Sequence, residues 1–146
     1  MLVTVDTNVL FQALRNSNGA SYRILELIGQ QKLRLALSVP VFTEYEDVLT
    51  RKSSLEEFGL TKKDVRAVLQ MLAYVAIPYT IYFNWRPNLR DEADNIFMEL
   101  AFTSISDALI TSNLKDFTVS TDLKMEDINV VTPAGFLQEW RERNEE

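Results

Sequence analysis

Acidic residues follow apolar runs at widely separated places in this chain. Asp6 closes L-V-T-V, Glu44 comes soon after L-A-L-S-V-P, Asp94 stands in R-D-E-A-D-N-I-F, and Asn113 and Asp116 follow A-L-I-T-S. Carboxylates gathered without a basic partner repel and raise one another's pKa, a cost that a bound cation removes. A donor set made only of oxygen favours Mg²⁺ or Mn²⁺ over zinc or copper. One such ion polarises a phosphodiester and activates water, and a second can stabilise the leaving oxygen. That chemistry needs no imidazole and no thiol, and the chain has 0 His and 0 Cys. Their absence excludes Ser-His-Asp and Cys-His catalysis, histidine-based RNA cleavage, His- or Cys-ligated zinc, iron–sulfur clusters and disulfides.

These residues need a frame that brings them together. Leu2 to Val5 is apolar and β-branched and reads as a short buried strand. Asn8 to Arg15 has helical spacing, and Asn16 to Gly19 breaks it. A helix over Ser21 to Gln31 buries Ile24, Leu25, Leu27 and Ile28, and Leu33 to Ser38 is a second strand. Pro40 starts a helix through about Lys52, since proline suits a first helical turn. Thr61 to Asp64 resembles a capping box opening a helix through Ala76, which Pro78 ends. Tyr79 to Phe83 is read as a short strand and Asn84 to Leu89 as a loop. Glu92 to Ser104 is helical by period, and Ala108 to Thr111 is another strand. A polar, turn-rich stretch from Ser112 to Asp127 leads to a last strand, Asn129 to Val131. Thr132-Pro133 then caps a helix from Ala134 to about Arg143. Strands alternating with helices call for a mainly parallel sheet in a three-layer α/β/α arrangement. With no repeat, linker or low-complexity tract, residues 1–146 are expected to form one domain.

In such sheets ligands gather beyond the carboxyl ends of the strands. Helical angles of about 100° per residue then sort the acids. Glu44 lies roughly 60° from Val41, at the margin of the stripe made by Val41, Tyr45, Val48 and Leu49, while Glu46 and Asp47 face away. Asp94 lies about 90° from the centre of the stripe of Ala93, Ile96, Phe97 and Leu100, and Asp91, at about 150°, suits an N-cap. Each acid also has a local role open to it. Asp6 fits an N-cap, Glu44 a solvated rim, Asp94 a complement to a helix dipole, and Asp116 a turn. Spacing alone leaves both readings standing.

The segments VDTNVLFQAL, LALSVPVFTEYEDVLTR and RDEADNIFMELAFTSISDALITSNLKDF together resemble the PIN-domain family of metal-dependent ribonucleases. Within that family the likeness is nearest to bacterial and archaeal PIN proteins regarded as toxins of toxin–antitoxin pairs, and it runs from about residue 2 to the end. The resemblance implies that Asp6, Glu44, Asp94 and Asp116 form the acidic quartet binding Mg²⁺ or Mn²⁺. Asn8, Thr111, Ser112 and Asn113 would be polar support. It further implies an endoribonuclease acting on RNA phosphodiesters, a homodimer or larger homo-oligomer, and a small antitoxin that blocks the site. One position departs from the pattern: many relatives carry Asp where this chain has Asn113, and an amide lacks the charge a second ion would draw on. Alternatives on the same fold are a catalytically silent module binding RNA or a protein, and a structure-specific DNA nuclease. D-T-N also resembles the D-x-D of haloacid-dehalogenase phosphatases, but Asn8 replaces the second acid.

Charge and the weaker signals complete the reading. With 15 Lys plus Arg against 21 Asp plus Glu, the net charge of −6 argues against a protein that coats nucleic acid, though not against a nuclease whose metal ions reverse the local sign. No stretch reaches the roughly 20 apolar residues of a membrane span, and no basic leader precedes the first apolar run, so a cytoplasmic protein is expected. Arg15, Arg86, Arg90 and Lys115 are candidates for RNA phosphates, with solvated surface charge as the simpler role. Tyr79, Tyr82, Phe83 and Trp85 could stack on bases, with packing as the simpler role.

Overall fold

The computed structural model describes residues 1–81, 95–117 and 128–144, with the side chains of residues 95, 116 and 117 outside that description. Among the described residues five strands form one sheet: β1 (Leu2–Val5), β2 (Arg34–Leu37), β3 (Ile77–Pro78), β4 (Ala108–Ile110) and β5 (Val130–Val131). Their order is β3-β2-β1-β4-β5, and every pairing is parallel. Parallel strands are covered on both faces, and accordingly all three residues of β4 are buried, as are Val3 to Val5 of β1.

The helices are α1 (Thr7–Arg15), α2 (Ala20–Gly29), α3 (Val39–Leu49), α4 (Lys52–Phe58), α5 (Lys62–Val75), α6 (Asn95–Ser104) and α7 (Pro133–Asn144). From β1 the chain steps outward to β2 and β3, then returns to lay β4 on the other side of β1. Right-handed crossovers in opposite directions place α1 and α2 on one face and α6 on the other. α6 packs across β1, β2 and β4, whereas α7 packs on α2. Phe97, Met98, Glu99, Leu100 and Ala101 are all buried, so α6 is covered on more than its sheet side. Tyr45 of α3 supplies part of that cover, its ring lying 6.2 Å from that of Phe97.

Several expected boundaries move. The helix begun by Val39 and Pro40 stops at Leu49 instead of continuing to Lys52, because Thr50 Oγ1 donates back to the Glu46 carbonyl at 2.6 Å and Arg51 turns extended. A separate helix, α4, then runs to Gly59, whose φ of 67° ends it in the left-handed region that glycine adopts without penalty. The edge strand is Ile77–Pro78, not Tyr79 to Phe83: these residues pair with Ala36 and Leu37, and Tyr79 N–H adds one bond to the Leu37 carbonyl at 2.8 Å. Proline is tolerated there because an edge strand needs no donor on its outer side. The expected loop from Asn84 to Leu89 and the first residues of the helix from Glu92 lie outside the described residues. The capping box holds, with Thr61 and Asp64 exchanging bonds at 3.0 and 3.1 Å.

Candidate active site

The strand order reverses at β1, which leaves a crevice beyond the carboxyl ends of β1 and β4 where neighbouring connections diverge. Asp6 is the first residue past β1 and Thr111 the first past β4, tied by Asp6 N–H donating to the Ile110 carbonyl at 2.9 Å. Asp6 occupies the N-cap position of α1, yet its side chain makes no cap bond. The carboxylate turns instead to the crevice, where Oδ2 accepts from Thr111 Oγ1 at 2.7 Å and from Asn8 Nδ2 at 3.0 Å. Asp6 is buried at 6% exposure and Thr111 at 0%, so these bonds act where water competes little. The local cap role open to Asp6 is therefore not the one its side chain performs.

Around this pair the support is reciprocal. Thr111 Oγ1 accepts from the Asn113 N–H at 3.1 Å while donating to Asp6, and Ser112 N–H donates to Asn8 Oδ1 at 3.1 Å. Asn8 thus has its amide oriented by the loop after β4 and points its nitrogen at Asp6. Asn113 contributes here through its backbone, a role its side-chain type does not restrict.

Glu44 reaches the same edge from α3. Its half-buried side chain lies at the stripe margin, as the helical angle requires, with Glu46 and Asp47 exposed beyond it. Thr7 Oγ1 donates to Glu44 Oε2 at 3.3 Å, linking α1 to α3. Next to Glu44, the fully buried Tyr45 hydroxyl donates to the carbonyl of Val5, the residue before Asp6. Burial, together with the negative charges of Asp6 and Glu44, pushes the Tyr45 phenol well above its ordinary pKa of 10.0, so it stays protonated and keeps donating. Both acids act on one hydroxyl, which is the electrostatic sign of their shared edge. Sequence reasoning gave Thr7 and Tyr45 no part in the site. Thr7 stands within D-T-N, but Tyr45 looks from spacing like ordinary core.

Of the expected quartet, Asp6 and Glu44 are thus brought to one edge. Asp94 lies outside the described residues. Asp116 falls in a 3-10 turn, Leu114–Phe117, directly after the Thr111 loop, and its side chain is outside the description. Among the described residues no group of three or more acids forms a ready metal cage. The oxygen donors assembled here, carboxylate and hydroxyl, fit a hard divalent cation. Arg15 pairs with Glu57 at 3.5 Å on the surface, and Tyr79 packs against the core; both take the simpler role. Arg86, Arg90, Tyr82, Phe83 and Trp85 lie outside the described residues.

A family model of the PIN domain matches residues 2–115, and the chain belongs to that family. PIN domains are generally nucleases, and their nucleases generally use divalent metals. The uncharacterised protein MJ1680 of Methanocaldococcus jannaschii is 30% identical over 145 residues, spanning 94% of this chain and 90% of its own. Among solved structures, the fold is similar to a chain of VapBC2 from Rickettsia felis, crystallised bound to a DNA fragment from its promoter. That likeness has a TM-score of 0.59 and 17% identity over 90% of this chain and 98% of the other. No helix among the described residues is long and apolar enough to cross a membrane.

Proposed function

We propose that this PIN-domain protein is an Mg²⁺- or Mn²⁺-dependent endoribonuclease and the toxin of a toxin–antitoxin pair. The observation that carries the reading is the pairing of Asp6 with Thr111 and Asn8 where the strand order reverses, with Glu44 delivered to the same edge by α3. Asp6, Glu44, Asp94 and Asp116 would hold the ion. When bound, the ion supplies the positive charge that polarises a phosphodiester and lowers the pKa of water. The chain's own groups do the positioning. Thr111 and Asn8 fix one oxygen of Asp6 by donating to it, Thr7 restrains Glu44, and Tyr45 holds the end of β1 against α3. Second-sphere donors of this kind set ligand orientation and metal affinity. The fold likeness to a chain of a VapBC complex supports an antitoxin partner, and a cytoplasmic homo-oligomer is part of the same proposal.

Asp6→Asn tests it. An amide oxygen can still accept from Thr111 and Asn8, so the fold should persist while RNA cleavage and Mn²⁺ binding by calorimetry are lost. Undiminished cleavage would remove Asp6 from the mechanism. Wild-type protein that neither binds Mn²⁺ nor cleaves would be a silent module, and preference for structured DNA over RNA in a paired assay would make it a DNA nuclease.

A further inference from the structure

Beside the acid cluster lies a cavity of about 350 Å³ whose chemistry is the opposite. Gln12 of α1 and Asn16 just past its end, the first turn of α2 at Ala20 and Ser21, Ser112 after β4 and Ala134 in the first turn of α7 all line it. Among the described lining residues there is no charged side chain, although the chain carries 21 acids. Among those residues a metal ion would find no carboxylate. An anion would find hydrogen-bond donors.

Those donors are specific. α2 is entered through Gly19, which has no side chain to cap it, and the first helical bond is Arg23 N–H to the Gly19 carbonyl at 3.3 Å. The N–H groups of Ala20, Ser21 and Tyr22 therefore precede the helical ladder, and among the described residues none has an acceptor. Independently, the Ser21 side chain is buried to 8% exposure, lines the cavity and has no hydrogen bond among the described residues. A buried hydroxyl without a partner is destabilising, and a ligand oxygen would relieve it. Across the cavity α7 starts at Pro133, with Thr132 Oγ1 taking the Gly135 N–H and Ala134 lining the wall. The α2 and α7 dipoles favour negative charge at these ends, against the opposing carboxyl end of α1, which Gln12 and Asn16 bring to the same cavity. Asn16 Oδ1 already accepts from Asn18 N–H at 3.0 Å, which leaves its Nδ2 to donate.

The link to the acid cluster is short. Ser112 donates its N–H to Asn8 on one side and lines the cavity on the other. Asn8 and Gln12, four apart on α1, make a neutral amide track from Asp6 to the cavity. We propose that this cavity is a phosphate subsite, holding a backbone phosphodiester of the substrate strand next to the one presented to Asp6 and Glu44. The proposal rests on the nuclease reading of that cluster and adds how neutral groups among the described residues grip the strand.

The first test needs no catalysis. Inorganic phosphate titrated into ¹⁵N-labelled protein should shift the amide resonances of Ala20, Ser21 and Tyr22 saturably, and Ser21→Asp should abolish the response. An added acid in the first turn suits the α2 dipole, so Ser21→Asp should keep its melting temperature. If that variant fails to fold, Gln12→Glu, on the α1 wall of the cavity, must weaken the same titration. With a single-stranded oligoribonucleotide in place of phosphate, Ser21→Asp should raise KM about tenfold and change kcat less than twofold. Phosphate shifts absent from these three amides, or unchanged in both variants, would overturn the subsite. Asp6→Asn separates the two readings: it should abolish cleavage yet leave the phosphate titration intact. Retained cleavage in that variant would sink the acid-cluster mechanism, and with it the substrate-strand assignment, while the titration would still decide whether the cavity takes phosphate.

Discussion

At the amino end of the β1 and β4 pair, Asp107 accepts from the Leu2 N–H at 2.8 Å, and the hydroxyls of Thr4, Ser106 and Ser104 bond one another at 2.9 and 2.6 Å. At the carboxyl end of the same two strands, Asp6 accepts from Thr111 and Asn8 at 2.7 and 3.0 Å. Acids and hydroxyls serve both ends, but their work differs. Asp107 is exposed and closes the backbone ladder, returning its own N–H to the Leu2 carbonyl at 2.7 Å. Asp6 is buried, leaves its helix uncapped and holds its carboxylate over the crevice where a second acid-bearing helix arrives. An acid that finishes local backbone bonding is structural, whereas one diverted from that task at the functional edge of a parallel sheet points to chemistry.

The sharpest break of this comparison is the pair Asp6→Asn and Asp107→Asn. The first should lower RNA cleavage roughly a thousandfold, since about 4 kcal/mol of lost charge stabilisation is that factor, and the second should leave it unchanged. Equal losses in a kinetic assay would erase the distinction. Thr111→Val keeps the shape but removes the donor to Asp6, and Mn²⁺ affinity should fall about 10- to 100-fold by calorimetry. Tyr45→Phe strands the Val5 carbonyl, so denaturant unfolding should show a loss of about 1–3 kcal/mol. Away from both ends, Thr61→Ala should cost about 1 kcal/mol through its cap alone, seen as a lower unfolding midpoint with wild-type cleavage.

The smallest effect is one of pH. Hydrogen bonds from Thr61 hold the Asp64 carboxyl below its ordinary 3.8. A carboxyl lowered on folding stabilises the fold above that ordinary value, and the benefit fades as pH falls through the lowered one. The melting-temperature gap between wild type and Asp64→Asn should therefore narrow below pH 3.8.

Elements with strong local signals were legible in the residues. L-V-T-V followed by Asp6 marks both strand and turn, and the Thr61 to Asp64 spacing marks a helix start. Gly59, read as a left-handed stop, would have revealed α4, but a continuous apolar and polar mixture from Tyr45 to Phe58 conceals the break at Thr50, which depends on a hydroxyl bonding its own helix. The position of β3 is set by register against Leu37, a tertiary pairing with no local mark. At the candidate site, spacing pointed Asp6 and Glu44 to one sheet edge, and the family resemblance added Asn8 and Thr111 beside them. The direction of the Asp6 carboxylate was not, since a cap and a crevice ligand share the same sequence position. Tyr45 escaped for a related reason: its ring is core, and only its hydroxyl has business at the site.

Thr111 and Asp6 are 105 positions apart in the chain. Synthesis proceeds at roughly 5–20 residues per second, so a nascent chain exposes Asp6 for several seconds or more before its partner is even made. During that interval the amino-terminal portion has the first acid without the strand that orients it. The bond that fixes the Asp6 carboxylate therefore forms only after β4 has followed β1 out of synthesis, and local folding of β1 and α1 cannot supply it.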